Sequence, residues 1–146
     1  MAYDISQDFT DKNLVSEGVR VEFFGGSFLH IASTESPKYK AALSRLAQQN
    51  KVRLDTTNED TVELVRKITC ECMAKHILLG WEGIADASGE VPYSREKAFE
   101  YLMGSSKLRD FVTAEAERTS NFQAVTAEEV GKPSAGPSNG DLKAVS

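Results

Sequence analysis

One long run of helical periodicity, from about Glu59 to Leu79, constrains this chain more than any other feature. Val62, Val65, Thr69, Cys72, Met73, His76 and Ile77 recur at three- and four-residue steps, which puts them along one side of a helix that needs a partner to bury it. Thr57 or Asn58 is placed to cap the run, and Glu59 and Asp60 sit in its first turn beside the positive end of the dipole. Glu63 with Lys67, and Glu71 with Lys75, are spaced i, i+4 in the favourable order. Such a helix commits the chain to a helix-packed body.

The flanking sequence adds a small β element and shorter helices. Val19 to Phe23 alternates, Gly25-Gly26 supplies a turn that tolerates positive φ, and Phe28 to Ile31 continues, which predicts a β-hairpin. Ser36-Pro37 starts a helix with Tyr39, Ala42, Leu43 and Leu46 on one stripe, and Lys51 to Thr57 links it to the long helix. Beyond Gly80, the turn Asp86-Ala87-Ser88-Gly89 predicts a short hairpin or looped excursion up to Tyr93. Ser94 caps a helix carrying Ala98, Phe99 and Leu102, and Gly104-Ser105 breaks it. Ser106 is read as the cap of a last helix with Leu108, Phe111, Val112, Glu115, Thr119 and Phe122 near its stripe.

Residues 1–16 are polar without a sustained period and read as a flexible arm, whereas 124–146 are rich in Gly, Pro and Ser and read as a disordered tail or linker. The expectation is a single α+β domain over 17–123, mainly α-helical, with an N-terminal β-hairpin followed by about four helices.

Charge and cysteine usage then narrow the function. Seventeen Lys and Arg against 22 Asp and Glu give a net charge of -5, the wrong sign for a dedicated nucleic-acid binder, though a local basic patch stays open. No stretch is apolar enough to cross a membrane and the first residues lack a basic-then-apolar leader, so a cytoplasmic protein is expected. Cys70 and Cys72 stand at i, i+2 of a helix and point in different directions, so they read as two reduced thiols rather than a disulfide or a metal site.

Chemistry-bearing patterns are sparse. His30 and His76 lie in unrelated settings, no nucleophile, base and orienting group converge, and neither catalytic residues nor a cofactor are expected. Gly25-Gly26-Ser27 lacks the Lys of a phosphate-cradling loop. Asp86, Ser88 and Glu90 begin like a calcium loop, but Lys97 stands where its last carboxylate belongs. Ser94 to Arg118 has the helix-turn-helix outline, yet Asp110, Glu115 and Glu117 offset Lys107, Arg109 and Arg118 and leave no basic face for phosphates. Trp81, the single tryptophan, is either a plug over the junction between elements or the centre of a docking surface.

The order Gly80-Trp81-Glu82-Gly83-Ile84, Asp86, Gly89, Val91-Pro92-Tyr93-Ser94, Leu102, Leu108 and Asn121-Phe122 resembles the tail assembly chaperones of long-tailed bacteriophages. In that family a long helix runs to a tryptophan, a short Asp-x-x-Gly turn leads to Pro-Phe/Tyr-Ser, and two helices follow. The resemblance covers residues 18–123, and it departs at Ser106-Lys107-Leu108, where the family often has Pro before Leu.

The resemblance implies a non-enzymatic protein that coats the tape measure protein, keeps it soluble and helps recruit tail tube subunits. It implies work in the cytoplasm of the infected bacterial host, absence from the mature virion, and self-association along the shared partner. Some family members also come in a longer, ribosomally frameshifted form, for which 124–146 would be the tether. The alternative is a structural tail or head-tail connector subunit retained in the virion. The contact residues expected from exposed apolar groups outside the long helices are Phe23, Phe24 and Phe28 on the hairpin, and Trp81, Ile84, Val91 and Tyr93 on the excursion.

Overall fold

The expected hairpin is present in the computed structural model, which describes residues 2–123. Strands β1 (Val19–Glu22) and β2 (Phe28–Ile31) run antiparallel, with Val19 opposite Ile31 and Glu22 opposite Phe28. Gly25 and Gly26 both take positive φ, at 67° and 78°, so the turn uses backbone conformations that side chains disfavour. Ser27 N–H donates to the Phe24 carbonyl at 3.2 Å to close it. The tail read over 124–146 lies outside the described residues.

The hairpin does not stand alone. The long helix α3 (Glu59–His76) ends sooner than its apolar pattern, and Leu78–Glu82 forms strand β3, antiparallel to β2. The sheet order is β1-β2-β3, with a register irregularity between His30 and Ile31. The physical reason is that a five-residue apolar run fits helix or strand equally by pattern, and here the open edge of β2 supplies partners for its backbone. Leu29, Ile31, Leu78 and Trp81 are buried on the helix-facing side. Arg20, Phe28, His30 and Glu82 alternate onto the other face.

Helix α2 (Pro37–Gln49) begins with Pro37 in its first turn, and Ser36 makes no side-chain cap bond there. Asn58 caps α3 by accepting from Asp60 N–H at 2.8 Å. α3 packs on α2 on one side and on α4 (Arg95–Gly104) on the other. Its buried residues are therefore Ile68, Cys70, Cys72, Met73, Ala74 and the adjoining Ile77, a wider arc than the one stripe read from the sequence, while Val62 is exposed. Both cysteines are free and buried, and burial raises the pKa of each thiol.

Ser94 caps α4 as expected, accepting from Lys97 N–H at 3.1 Å. The cap of α5 (Ser106–Glu117) is Ser105, not Ser106: its Oγ accepts from Leu108 N–H at 3.0 Å, the third residue on, as cap geometry demands. A 3-10 turn (Thr119–Phe122) follows.

The polar N-terminal residues also carry structure, a 3-10 turn (Ile5–Asp8) and helix α1 (Lys12–Glu17). Asp11 caps α1, accepting from Asn13 and Leu14 N–H. Val15, Val19 and Phe122 form a small buried cluster of their own, Asp11 N–H donates to the Phe122 carbonyl at 2.7 Å, and Thr10 bridges to Gln123. The fold is thus α+β and mainly α-helical, with one three-stranded sheet. Among the described residues no helix is long and apolar enough to cross a membrane.

Candidate functional site

The turn of the hairpin lifts Phe24 out of the body, and its side chain is 55% exposed. Phe23 beside it is partly buried and meets Phe24 edge-on, with ring centroids 4.8 Å apart. The ring of Phe111, from α5, lies 4.8 Å from Phe23 and 6.2 Å from Phe24. Lys107, one helical turn before Phe111, sets its ammonium 3.7 Å from the Phe24 ring centroid. Two sequence-remote elements therefore build one aromatic patch, anchored at Phe23 and open at Phe24.

The outer sheet face continues from this patch. Arg20 places its guanidinium 3.5 Å over the ring of Phe28 and pairs in fork geometry with Glu82, both contacts at 3.0 Å. His30 Nε2 and Glu82 Oε2 are 2.9 Å apart. The hydrogen bond from Arg20, followed by that from His30, holds the Glu82 carboxyl down at about 2. Each ring thus carries a cation, Arg20 over Phe28 and Lys107 over Phe24, and Phe24 is the more exposed of the two.

The excursion residues are arranged differently. Trp81 is buried at 8% exposure, and its Nε1–H donates to the Val91 carbonyl at 2.8 Å. Tyr93 meets the Trp81 ring edge-on at 4.9 Å, and its hydroxyl donates to the Leu78 carbonyl at 2.6 Å. Tyr101 of α4 stacks on Trp81 with ring centroids 5.7 Å apart and donates to Asp86 Oδ2 at 3.1 Å. Val91 N–H donates to the Ile84 carbonyl at 2.8 Å, and a two-strand hairpin, β4 (Ala85–Asp86) with β5 (Gly89–Glu90), projects from that closure. Trp81, Ile84, Val91 and Tyr93 thus form a clasp that fastens the excursion onto β3 and α4.

The structure therefore joins Phe23 with Phe24, sets Phe28 under Arg20, and gathers Trp81, Ile84, Val91 and Tyr93 into the separate clasp. Sequence reasoning did not assign Phe111, Lys107 or Tyr101 to either group. The i, i+4 spacing of Lys107 and Phe111 was a signal for the first pair, but their meeting with Phe24 depends on how α5 crosses the hairpin. Among the described residues no group of three or more His, Cys, Asp or Glu side chains could hold a metal ion.

No match was found among curated proteins or among solved structures. The family model of the YdaY prophage protein matches residues 34–132, more than half of the 146, and takes in the clasp and the α5 side of the aromatic patch. The chain is accordingly phage-derived and belongs to the YdaY prophage protein family.

Proposed function

We propose that this protein is a bacteriophage tail assembly chaperone that binds the tape measure protein, keeps it soluble and helps bring tail tube subunits to it. The observation that carries the reading is the exposed Phe24 over its Phe23–Phe111 base. A half-exposed aromatic ring on a hairpin turn, with Lys107 beside it, suits capture of the apolar face of a partner helix. The ordered pattern from Gly80 to Phe122 and the phage origin of the family support the same reading. The role is binding rather than catalysis, in the cytoplasm of the infected host, and the protein leaves before the virion is complete.

Co-expression with the tape measure protein of the same phage tests this. The tape measure protein should stay soluble and co-purify with this chain, and Phe24→Ser should abolish that effect while leaving the fold unchanged. A tape measure protein that precipitates regardless, together with this chain in purified virions, would instead establish a structural tail subunit.

A further inference from the structure

A second surface lies between α2 and α3, on helices that do not contribute to the Phe23–Phe24–Phe111 patch. A groove of about 110 Å³ is lined by Ala42, Arg45, Leu46, Glu71, Cys72 and Lys75. Ala42 and Cys72 are buried and form an apolar floor with the half-buried Leu46, while Arg45, Glu71 and Lys75 are exposed and form a charged rim. The positive charge extends past the groove. Lys38 lies seven residues before Arg45 on α2, hence on the same face, and Arg95 opens α4 beside the end of α3.

All four cations act on one reporter, His76. Burial lowers its pKa first, and Lys75, Arg95, Lys38 and Arg45 push it the same way. None of the four makes an ion pair among the described residues. A chain of net charge -5 therefore gathers Lys38, Arg45, Lys75 and Arg95 around an apolar slot whose lining holds one carboxylate, Glu71.

We propose that this groove is a second docking site, which takes an acidic amphipathic helix of a partner protein. One apolar side chain of that helix enters the slot and flanking carboxylates meet Arg45 and Lys75. A cavity of about 150 Å³ holds a benzene ring, so this slot has room for one aliphatic side chain. A nucleic-acid backbone fits less well, because an apolar floor offers phosphates nothing. The charges would orient the encounter and the slot would fix the register.

The test uses the full chain and a labelled synthetic helical peptide with a leucine stripe flanked by glutamates, followed by fluorescence anisotropy. Saturable binding should weaken about tenfold or more in Arg45→Glu/Lys75→Glu. It should weaken less in Arg45→Ala/Lys75→Ala, and circular dichroism should show both variants folded. A peptide with Gln for every Glu should bind about tenfold more weakly. Phe24→Ser should leave the affinity unchanged, which separates this site from the hairpin patch. Equal binding of the Gln peptide, indifference to charge reversal, or tighter binding of duplex DNA lost in the same variants would overturn the proposal, the last by assigning the surface to nucleic acid.

Discussion

Replacing Trp81 by Phe distinguishes a clasp from a contact surface. The substitution keeps an aromatic ring against Tyr93 and Tyr101 but deletes the indole N–H that donates to the Val91 carbonyl at 2.8 Å. Loss of one such hydrogen bond costs about 1 kcal/mol. Trp81 is only 8% exposed, so the smaller ring also gives up roughly 40 Å² of apolar burial, worth about 1 kcal/mol. The expected total is about 2 kcal/mol, read as an earlier urea midpoint with an unchanged slope, and a Tm lower by about 5–10 °C. Circular dichroism is the suitable probe, because the substitution removes the only tryptophan fluorescence. Tape measure solubilisation should survive at temperatures where the variant is folded. Unchanged stability with lost solubilisation would refute the clasp and place Trp81 in the partner interface.

Three further outcomes are expected. Ser105→Ala should cost about 1 kcal/mol by chemical denaturation, while Ser106→Ala changes stability by less than about 0.5 kcal/mol, because only Ser105 accepts the Leu108 N–H. Glu82 has its carboxyl lowered from 4.5 to about 2, so its contribution is fully present above pH 4.5 and is lost as pH falls toward 2. Glu82→Gln should therefore flatten that stretch of the acid-unfolding curve. Burial lifts the Tyr39 phenol from 10.0 to about 12, so the unfolded chain ionises first and stability falls between those values. The loss from this group is about 2–3 kcal/mol, and Tyr39→Phe should remove that share of the alkaline limb in pH-dependent unfolding while the buried Cys70 and Cys72 keep theirs.

The helices were legible where local signals are self-sufficient. Pro37, Asn58 and Ser94 mark starts through chemistry confined to one turn, and all three mark helix starts in the structure, Asn58 and Ser94 as side-chain caps. Ser106 is the cap expected from the sequence, but Ser105 beside it carries the same hydroxyl, and only the backbone decides which of the two reaches the third N–H. β3 was hidden because a strand that follows a helix directly is specified by its distant neighbour β2, not by its own five residues. The wide buried arc of α3 had the same cause, since α2 and α4 embrace it from two sides and a single stripe cannot report both. At the aromatic patch the sequence supplied Phe23 and Phe24 but not the crossing of α5 that brings Phe111 and Lys107 to them. The groove cations were invisible for a related reason, as Lys38, Arg45, Lys75 and Arg95 lie on three helices and the overall acidity concealed their grouping.

The joining of the two ends of the described fold sets an order of events during synthesis. α1 is made before the other described α-helices, yet its buried Val15 packs on Phe122 and the backbone just before it is tied to Phe122 and Gln123. Until those residues are made, α1 has only six residues and lacks much of its packing, well short of what an isolated helix needs in water. The first of the described α-helices is consequently among the last to become stable, and shortening the chain before Phe122 should loosen α1 as well as the end of the described fold.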